Sequence, residues 1–409
     1  NNADKFEMKV QLEPFRGMKI ELNVGRENNR RTEIQYMYEG MPREVGGSFS
    51  MTTIALSSAL KSSNAKNDYQ SDAFDKFLAN RDKIANRLDK QYRTTTYPGG
   101  GFMNEPGTSN IIGKPYEPET YGGVDRNSGD VLIPAFIAAY TGKDANNISL
   151  SAFPSFFSML PNWNASYEGL MYIPAIKEKF KALRLNHAYT CFYQVNNFSS
   201  FSNWLPANTG DDLGYIRDVL SGKPIPSSPY NISSVSLAET FNPLFGIDGT
   251  LNNSMSFSLP YNNTRMLNLN MASYQIVESL KKEFVVGMGY RINEFNRLIG
   301  LTSKRARNTN KDGDTNVNTN NFNNDLNIRA DLSHSTTQAL IRKIEERFTQ
   351  ATSGVTVITL KLSADYTLSR ALTLRAFFDR IVNKPLVTTT SYPTTNSNLG
   401  ISIKFTLLQ

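Results

Sequence analysis

The sequence predicts an all-β chain with helical insertions, built as the wall of an antiparallel transmembrane β-barrel. Three observations predict it. Apolar and polar residues alternate with a period of two at both ends of the chain. No run of 18 or more apolar residues exists, so no transmembrane helix is expected. Tyr and Phe, 19 and 24 residues, are abundant in a chain whose mean hydropathy is only −0.40. Barrels carry their hydrophobicity in alternation, and aromatic residues suit both strands and membrane interfaces.

The alternation defines the elements in order. Phe6, Met8, Val10 and Leu12 alternate with Lys5, Glu7, Lys9 and Gln11. Met18, Ile20, Leu22 and Val24 oppose Lys19, Glu21, Asn23 and Gly25. Further on, Phe284–Ile292, Leu326–Leu332, Leu360–Leu368 and Leu372–Phe378 repeat the pattern, and Ile401, Ile403, Phe405 and Leu407 alternate with Ser402, Lys404 and Thr406. Side chains alternate faces along a strand, so each run is greasy on one side and wet on the other. Strands are predicted over 5–13, 16–26, 30–40, 44–58, 162–172, 181–194, 229–240, 246–259, 264–278, 281–295, 321–335, 338–349, 353–367, 371–384 and 396–408. Residues 1–58 and 162–409 are thus wall, and 59–161, 195–228 and 296–320 are insertions. Counting strands back from the last, which is expected to end on the periplasmic side, puts all three insertions outside. It leaves short inner turns near 14–15, 41–43, 173–180, 241–245, 279–280, 336–337 and 368–370. The outer connections are 27–29, 260–263, 350–352 and 385–395 besides the insertions.

The 59–161 insertion has its own helices. Phe74, Phe77, Leu78, Ala85, Leu88 and Tyr92 recur at helical spacing, predicting a helix over 71–93 capped by Ser71 or Asp72. Tyr97-Pro98-Gly99-Gly100-Gly101 is irregular, and 131–140 reads as a short buried helix with Pro134 in its first turns. Segment 296–320, rich in Asn, Thr and Lys, is expected to be a solvated loop.

Charges within the strands fall on the polar phase. Arg329, Asp331, Lys361, Asp365, Arg375, Asp379 and Lys404 are the candidate lumen-lining residues. A Lys or Arg facing lipid at the bilayer midplane costs about 2–4 kcal/mol, and several together would exceed the roughly 5–15 kcal/mol stability of an ordinary domain. In a barrel they must face the lumen, where mixed charges hydrate a channel wall. No catalytic, cofactor-binding or metal-binding constellation is read. Cys191 is the lone cysteine and reads as a passive wall residue. His187, one of two histidines, reads as packed or interfacial. Counting a calcium loop from Asp312 puts Val317 and Asn323 where Gly and Glu are required, so solvated loop is preferred. The net charge of +7 is scattered rather than clustered, which argues against nucleic acid. The chain opens Asn1-Asn2-Ala3 without signal-peptide features, and is expected to belong to a longer exported protein.

Several segments resemble one family. Leu132-Ile133-Pro134-Ala135-Phe136-Ile137-Ala138-Ala139-Tyr140-Thr141-Gly142 is similar to an IPAF-LAAY-G segment of the SprA/Sov family, the outer-membrane translocons of the Bacteroidetes type IX secretion system. Pro161-Asn162-Trp163 with Tyr167 and Gly169-Leu170 resembles its PNW strand, and Leu185-Asn186-His187-Ala188-Tyr189 with Phe198-Ser199 resembles its LSHAY…F-S run. Phe74-Asp75-Lys76-Phe77 with Arg81 and Arg87-Leu88 resembles its helical segment. Phe377-Phe378-Asp379-Arg380 and Ser391-Tyr392-Pro393-Thr394-Thr395-Asn396 resemble its FFDR and S-x-PTTN motifs. These blocks cover residues 70–409 in family order. Asn164 stands where a basic residue is expected, and Cys191-Phe192 replaces a small polar pair, departures that bear on partner contacts. The resemblance implies the C-terminal portion of a very large barrel passing folded, secreted cargo proteins to the cell surface. Partner proteins would occlude a lateral opening or plug the pore, with outer-membrane lipid around the wall. Two other readings share part of the pattern: a nutrient-uptake barrel of the TonB-dependent type, and a soluble β-rich surface adhesin.

Overall fold

The structure, a computed structural model, describes all residues except 35–42, 62–66, 99–110, 208–211, 219–221, 294, 296–323, 369–371, 388–390 and 406–409. The chain is predominantly antiparallel β. Its strands are β1 (Asn2–Leu12), β2 (Met18–Glu33), β3 (Glu44–Thr52), β4 (Asn162–Tyr167), β5 (Phe180–Ser200), β6 (Leu205–Pro206), β7 (Gly214–Arg217), β8 (Pro224–Ser227), β9 (Tyr230–Leu251), β10 (Met255–Asn270), β11 (Gln275–Ile292), β12 (Leu326–Lys343), β13 (Phe348–Thr367), β14 (Leu372–Pro385) and β15 (Thr394–Phe405). Twelve of them form one sheet in the order β1-β2-β3-β5-β9-β10-β11-β12-β13-β14-β15, with β4 pairing β2 and β5. Every pairing in it is antiparallel. Strands β6, β7 and β8 make a separate small sheet.

The sheet corrects the expected strand list. Residues 27–29 are not a turn: β2 runs through them, because Arg26 to Arg30 are paired on both sides, with β1 and with β3. Residues 241–245 and 336–337 likewise lie inside β9 and β12, and 260–263 and 279–280 inside β10 and β11. The turns fall instead at 252–254, 271–274 and 344–347. Pro243, which suggested a break because proline cannot donate to a ladder, sits where the register between β9 and β10 slips, between the Tyr261–Phe245 and Asn263–Phe241 pairs.

Strands β3 and β4 share one position in the sheet. β2 pairs with β3 through Arg26–Glu33 and with β4 through Met18–Asn23, while β5 pairs with β3 through Phe192–Ser199 and with β4 through Leu185–Tyr189. The long insertion therefore starts at residue 53, not 59, and leaves and re-enters the wall in the middle of one strand. Its helices are α1 (Leu56–Ala59), α2 (Asp72–Tyr92), α3 (Pro118–Tyr121) and α4 (Gly129–Thr141); a further short helix, α5 (Pro174–Lys177), precedes β5.

Helix α2 forms as its sequence dictates. Ser71 caps it, its hydroxyl accepting from the Phe74 amide, and Asp72 and Asp75 complement the positive end. Phe74, Phe77, Ile84, Ala85, Leu88 and Tyr92 are buried on one stripe. Helix α4 is apolar all round and buried from Val131 to Tyr140, ending on Gly142 at φ 75, in the left-handed region. These two helices pack together and onto the sheet, so the hydrophobic core of the described residues is the seam between insertion and sheet.

Alternating strand directions separate two rims. The turns 13–17, 168–179 and 252–254 lie at the rim where β15 ends, with the ends of β11 and β13 and the starts of β12 and β14. The turns 271–274 and 344–347 lie at the opposite rim, with the ends of β2, β5 and β14 and the starts of β3, β9 and β15. The insertion covers the half of the sheet nearer that opposite rim, where β5 ends and β9 begins. Segment 296–320 lies outside the described residues; β11 ends and β12 begins at the rim where β15 ends. β2 ends and β3 begins at the other rim, contrary to the parity count. The difference follows from strands counted double, as β2, β9 and β12 show.

Candidate functional site: the two faces of the sheet

Directly opposed residues in an antiparallel pair share a face, so the register assigns every strand residue. One face carries Phe6–Leu12 in β1, Met18–Val24 in β2, Leu183 and Leu185 in β5, and Phe245 and Ile247 in β9, taking alternate residues. It continues through Met255–Tyr261 in β10, Phe284–Ile292 in β11, Leu326–Leu332 in β12 and Ile358–Tyr366 in β13. It ends with Leu372–Phe378 in β14 and Leu399–Phe405 in β15. We call this the apolar face. Its apolar runs are seven to nine residues long in most strands and shorter in β5 and β9, against the 9–11 residues a membrane strand needs, and much of the band is bare. Met8, Phe284, Met288, Leu332 and Leu362 are exposed, and Ile401 is 74% exposed. Tyr167, Tyr290 and Tyr366 lie on this face toward the rim where β15 ends.

The opposite, polar face holds all seven charged residues singled out in the sequence. Lys361 stands between Asp331 of β12 and Asp379 of β14. Asp365 pairs with Arg375, Oδ1 to Nε 3.6 Å. Arg329 opposes Ser363, and Lys404 opposes Thr373. Gly287 and Gly289 of β11 sit opposite Asp331 and Arg329, and a Cβ on Gly287 would lie 3.1 Å from Asp331 Oδ1, so the wall is bare backbone there.

The same face continues beyond these seven residues. A groove of about 680 Å³ opens among Glu21, Asn164, Ser166, Arg184, Asn186 and Asp248. Asp248 is its hub. It accepts from Ser258 Oγ at 2.6 Å and from the Asn186 amide, with Arg184 at 3.6 Å. The signal was present, since Arg184 and Asn186 alternate with Leu183 and Leu185. Residues 241–245, taken as a turn, hid the phase of Asp248.

Nearer the rim where β15 begins, the apolar face carries charges that no alternation signalled. Glu239 of β9 and Arg265 of β10 are directly opposed and joined, Oε2 to Nη2 2.8 Å and to Nε 3.1 Å. Arg265 also donates to the insertion, to Ser58 O at 2.9 Å and Ser58 Oγ at 2.8 Å, and Tyr189 donates to Glu239 Oε1 at 2.6 Å. One strand pair away, Glu278 of β11 accepts from Arg342 Nη2 at 2.7 Å and Nε at 2.9 Å, while Arg342 Nη1 reaches Tyr69 O at 2.7 Å. Both arginines are buried, Arg342 completely. Each guanidinium is shared between a wall carboxylate and an insertion carbonyl, the satisfied arrangement a buried charge requires.

The two insertions also close on each other. Tyr92 donates to Gly214 O at 2.9 Å, and Tyr215 packs edge-on against it, ring centroids 5.5 Å apart. Between α2, the 150–153 segment and 213–230 lies a cavity of about 280 Å³ with Asp130 in its lining. Burial pushes the Asp130 carboxyl up, against a hydrogen bond from Ser228 N at 2.8 Å.

The remaining residues singled out in the sequence are structural. Cys191 is buried, its amide donating to Asn162 Oδ1 at 2.8 Å. His187 Nδ1 lies 2.6 Å from Leu244 O. The candidate calcium loop at Asp312 and the glycines 99–101 lie outside the described residues. No family model matches the chain, and no curated protein matches its sequence.

Proposed function

We propose that the chain is wall of a large outer-membrane β-barrel that passes folded proteins to the cell surface, as the resemblance to the SprA/Sov translocons implies. The observation that carries the membrane reading is the segregation of faces. A bare apolar band runs from β1 to β15, backed everywhere by a polar face of mixed charge. Monomers in water rarely expose contiguous apolar patches beyond a few hundred Å², and lipid is the solvent that fits a continuous bare band. The polar face, hydrated and charge-balanced, suits a lumen that must not adhere to diverse cargo. Twelve strands in one sheet, with β1 and β15 as its two edges, support a wide wall rather than a small closed barrel. The insertion then stands at the outer side, against the part of the wall that projects beyond the bilayer.

Deleting 401–409 from the intact protein removes the apolar face of the last strand and leaves β14 backbone groups unpaired in hydrocarbon, at several kcal/mol each. Outer-membrane abundance and cargo in the medium should both fall to background. Normal abundance with normal secretion would refute the reading. Loss of small-nutrient uptake with secretion intact would favour the nutrient-uptake barrel.

A further inference from the structure

The apolar band has a border toward the insertion side, and on β11–β14 that border is basic. Moving up each strand on the apolar face, the first polar residue is Lys282 in β11, His334 in β12, Thr356 in β13 and Arg380 in β14. Lys282, Thr336, Thr356 and Lys384 are directly opposed in one row across the four strands. The two threonine hydroxyls lie 3.3 Å apart. Lys282, His334, Arg380 and Lys384 are all exposed. Among the described residues, Glu278 is the one carboxylate on this face of β11–β14, and it is bound to Arg342. Lys282, Arg380 and Lys384 make no ion pair among the described residues. The adjacent Lys281–Glu283 pair points to the polar face. Barrel strands tilt by roughly 35–45°, so a row across strands slopes relative to the bilayer. Arg380, two repeats of the alternation below Lys384 on the same strand, keeps a cation at the border whichever way the row slopes.

We propose that Lys282, Arg380 and Lys384, with the Thr336 and Thr356 hydroxyls, form a binding strip for phosphate-bearing lipid headgroups of the outer leaflet. The inference rests on the membrane-wall reading. The acyl chains of such a lipid would lie along the bare band at Phe284, Leu332, Leu360 and Phe378, directly below the cations, and its phosphates would meet three uncompensated positive charges and two hydroxyl donors. Chain and headgroup are matched by one continuous surface, which a soluble anion could use only in part.

The test reconstitutes the intact protein in nanodiscs of equal parts phosphatidylcholine and bis-phosphorylated lipid A, and counts lipid A retained after purification. The wild type should retain lipid A over phosphatidylcholine, and Lys282→Ser/Arg380→Ser/Lys384→Ser should weaken retention about fivefold per charge removed. Lys5→Ser/Lys9→Ser/Lys19→Ser removes as much charge from the polar face and should retain wild-type levels. Equal loss in both triple variants, or displacement of lipid A by inorganic phosphate alone, would overturn the strip while leaving the wall reading intact. Failure of the wild type to enter nanodiscs would overturn both.

Discussion

The apolar face has two halves that the same strands build differently. Along β10, Met255, Phe257, Leu259 and Tyr261 belong to the band, while Leu267 and Leu269 on the same face are 1% and 0% exposed under the insertion. Along β15 the band has no cover at all, and Ile401 and Ile403 are 74% and 69% exposed. The covered half tolerates Glu239, Arg265, Glu278 and Arg342, because protein groups from the insertion complete their hydrogen bonds. The bare half carries none of these. What a strand face may contain is therefore set by what solvates it. Polar groups are admitted where protein supplies partners, and the proposed lipid contact of the bare half would exclude them.

The largest effect should come from breaking the covered half. Arg265→Leu leaves Glu239 buried with a charge and only the Tyr189 hydroxyl for company, a loss of about 3–5 kcal/mol. The insertion should loosen, read as faster proteolysis and deuterium uptake within 53–161. Replacing both partners, Glu239→Gln with Arg265→Leu, should recover much of that protection. If the single variant is as protected as wild type, the ion pair does not anchor the insertion.

A somewhat smaller effect is expected from breaking the bare half. Leu362→Arg puts a guanidinium on the band in the middle of β13, at about 2–4 kcal/mol if that position meets the bilayer midplane. Assembly into the outer membrane should drop, whereas Lys361→Ala, one residue away on the polar face, should assemble normally. Equal assembly of the two variants would erase the difference between the faces.

The smallest effect sharpens the seam between the insertions. The folded state raises the Asp130 carboxyl above its ordinary value near 3.8. Below that value both folded and unfolded chains hold the proton. As pH rises toward the raised value, the folded state holds a proton the unfolded chain has released, so stability falls with pH across that window. Asp130→Asn should flatten this dependence, measured by thermal unfolding at a series of pH values. An unchanged slope would remove Asp130 as its source.

Much of this was legible in the chain itself, for physical reasons that also mark the limits. A period of two survives along strands whose exposed face is uninterrupted, so β1, β14 and the polar phase of the seven charged residues were readable from alternation, while β11 read as two strands split at 279–280. Helix α2 was readable from Ser71 and its apolar stripe. Strand β9 was not, because Pro243 and the register slip around it look like a turn when the pairing partner is unknown. The union of β3 and β4 was invisible for a deeper reason. Two segments separated by residues 53–161 become one strand only through shared partners in β2 and β5, and pairing is not local information. The buried arginines were hidden likewise, since a charge in the apolar phase reads as an exception until the insertion that covers it is placed.

The central claim is that the bare half of the apolar face meets lipid and the polar face meets water. Single cysteines at Leu362, Leu374 and Ile403, and at Lys361 and Arg375, in a background with Cys191 replaced by Ala, can be probed in native membranes with a membrane-confined and a water-borne thiol reagent. The first three should react with the membrane-confined reagent and the last two with the water-borne one. The reverse pattern, or water-borne labelling at all five, would contradict the wall and everything built on it.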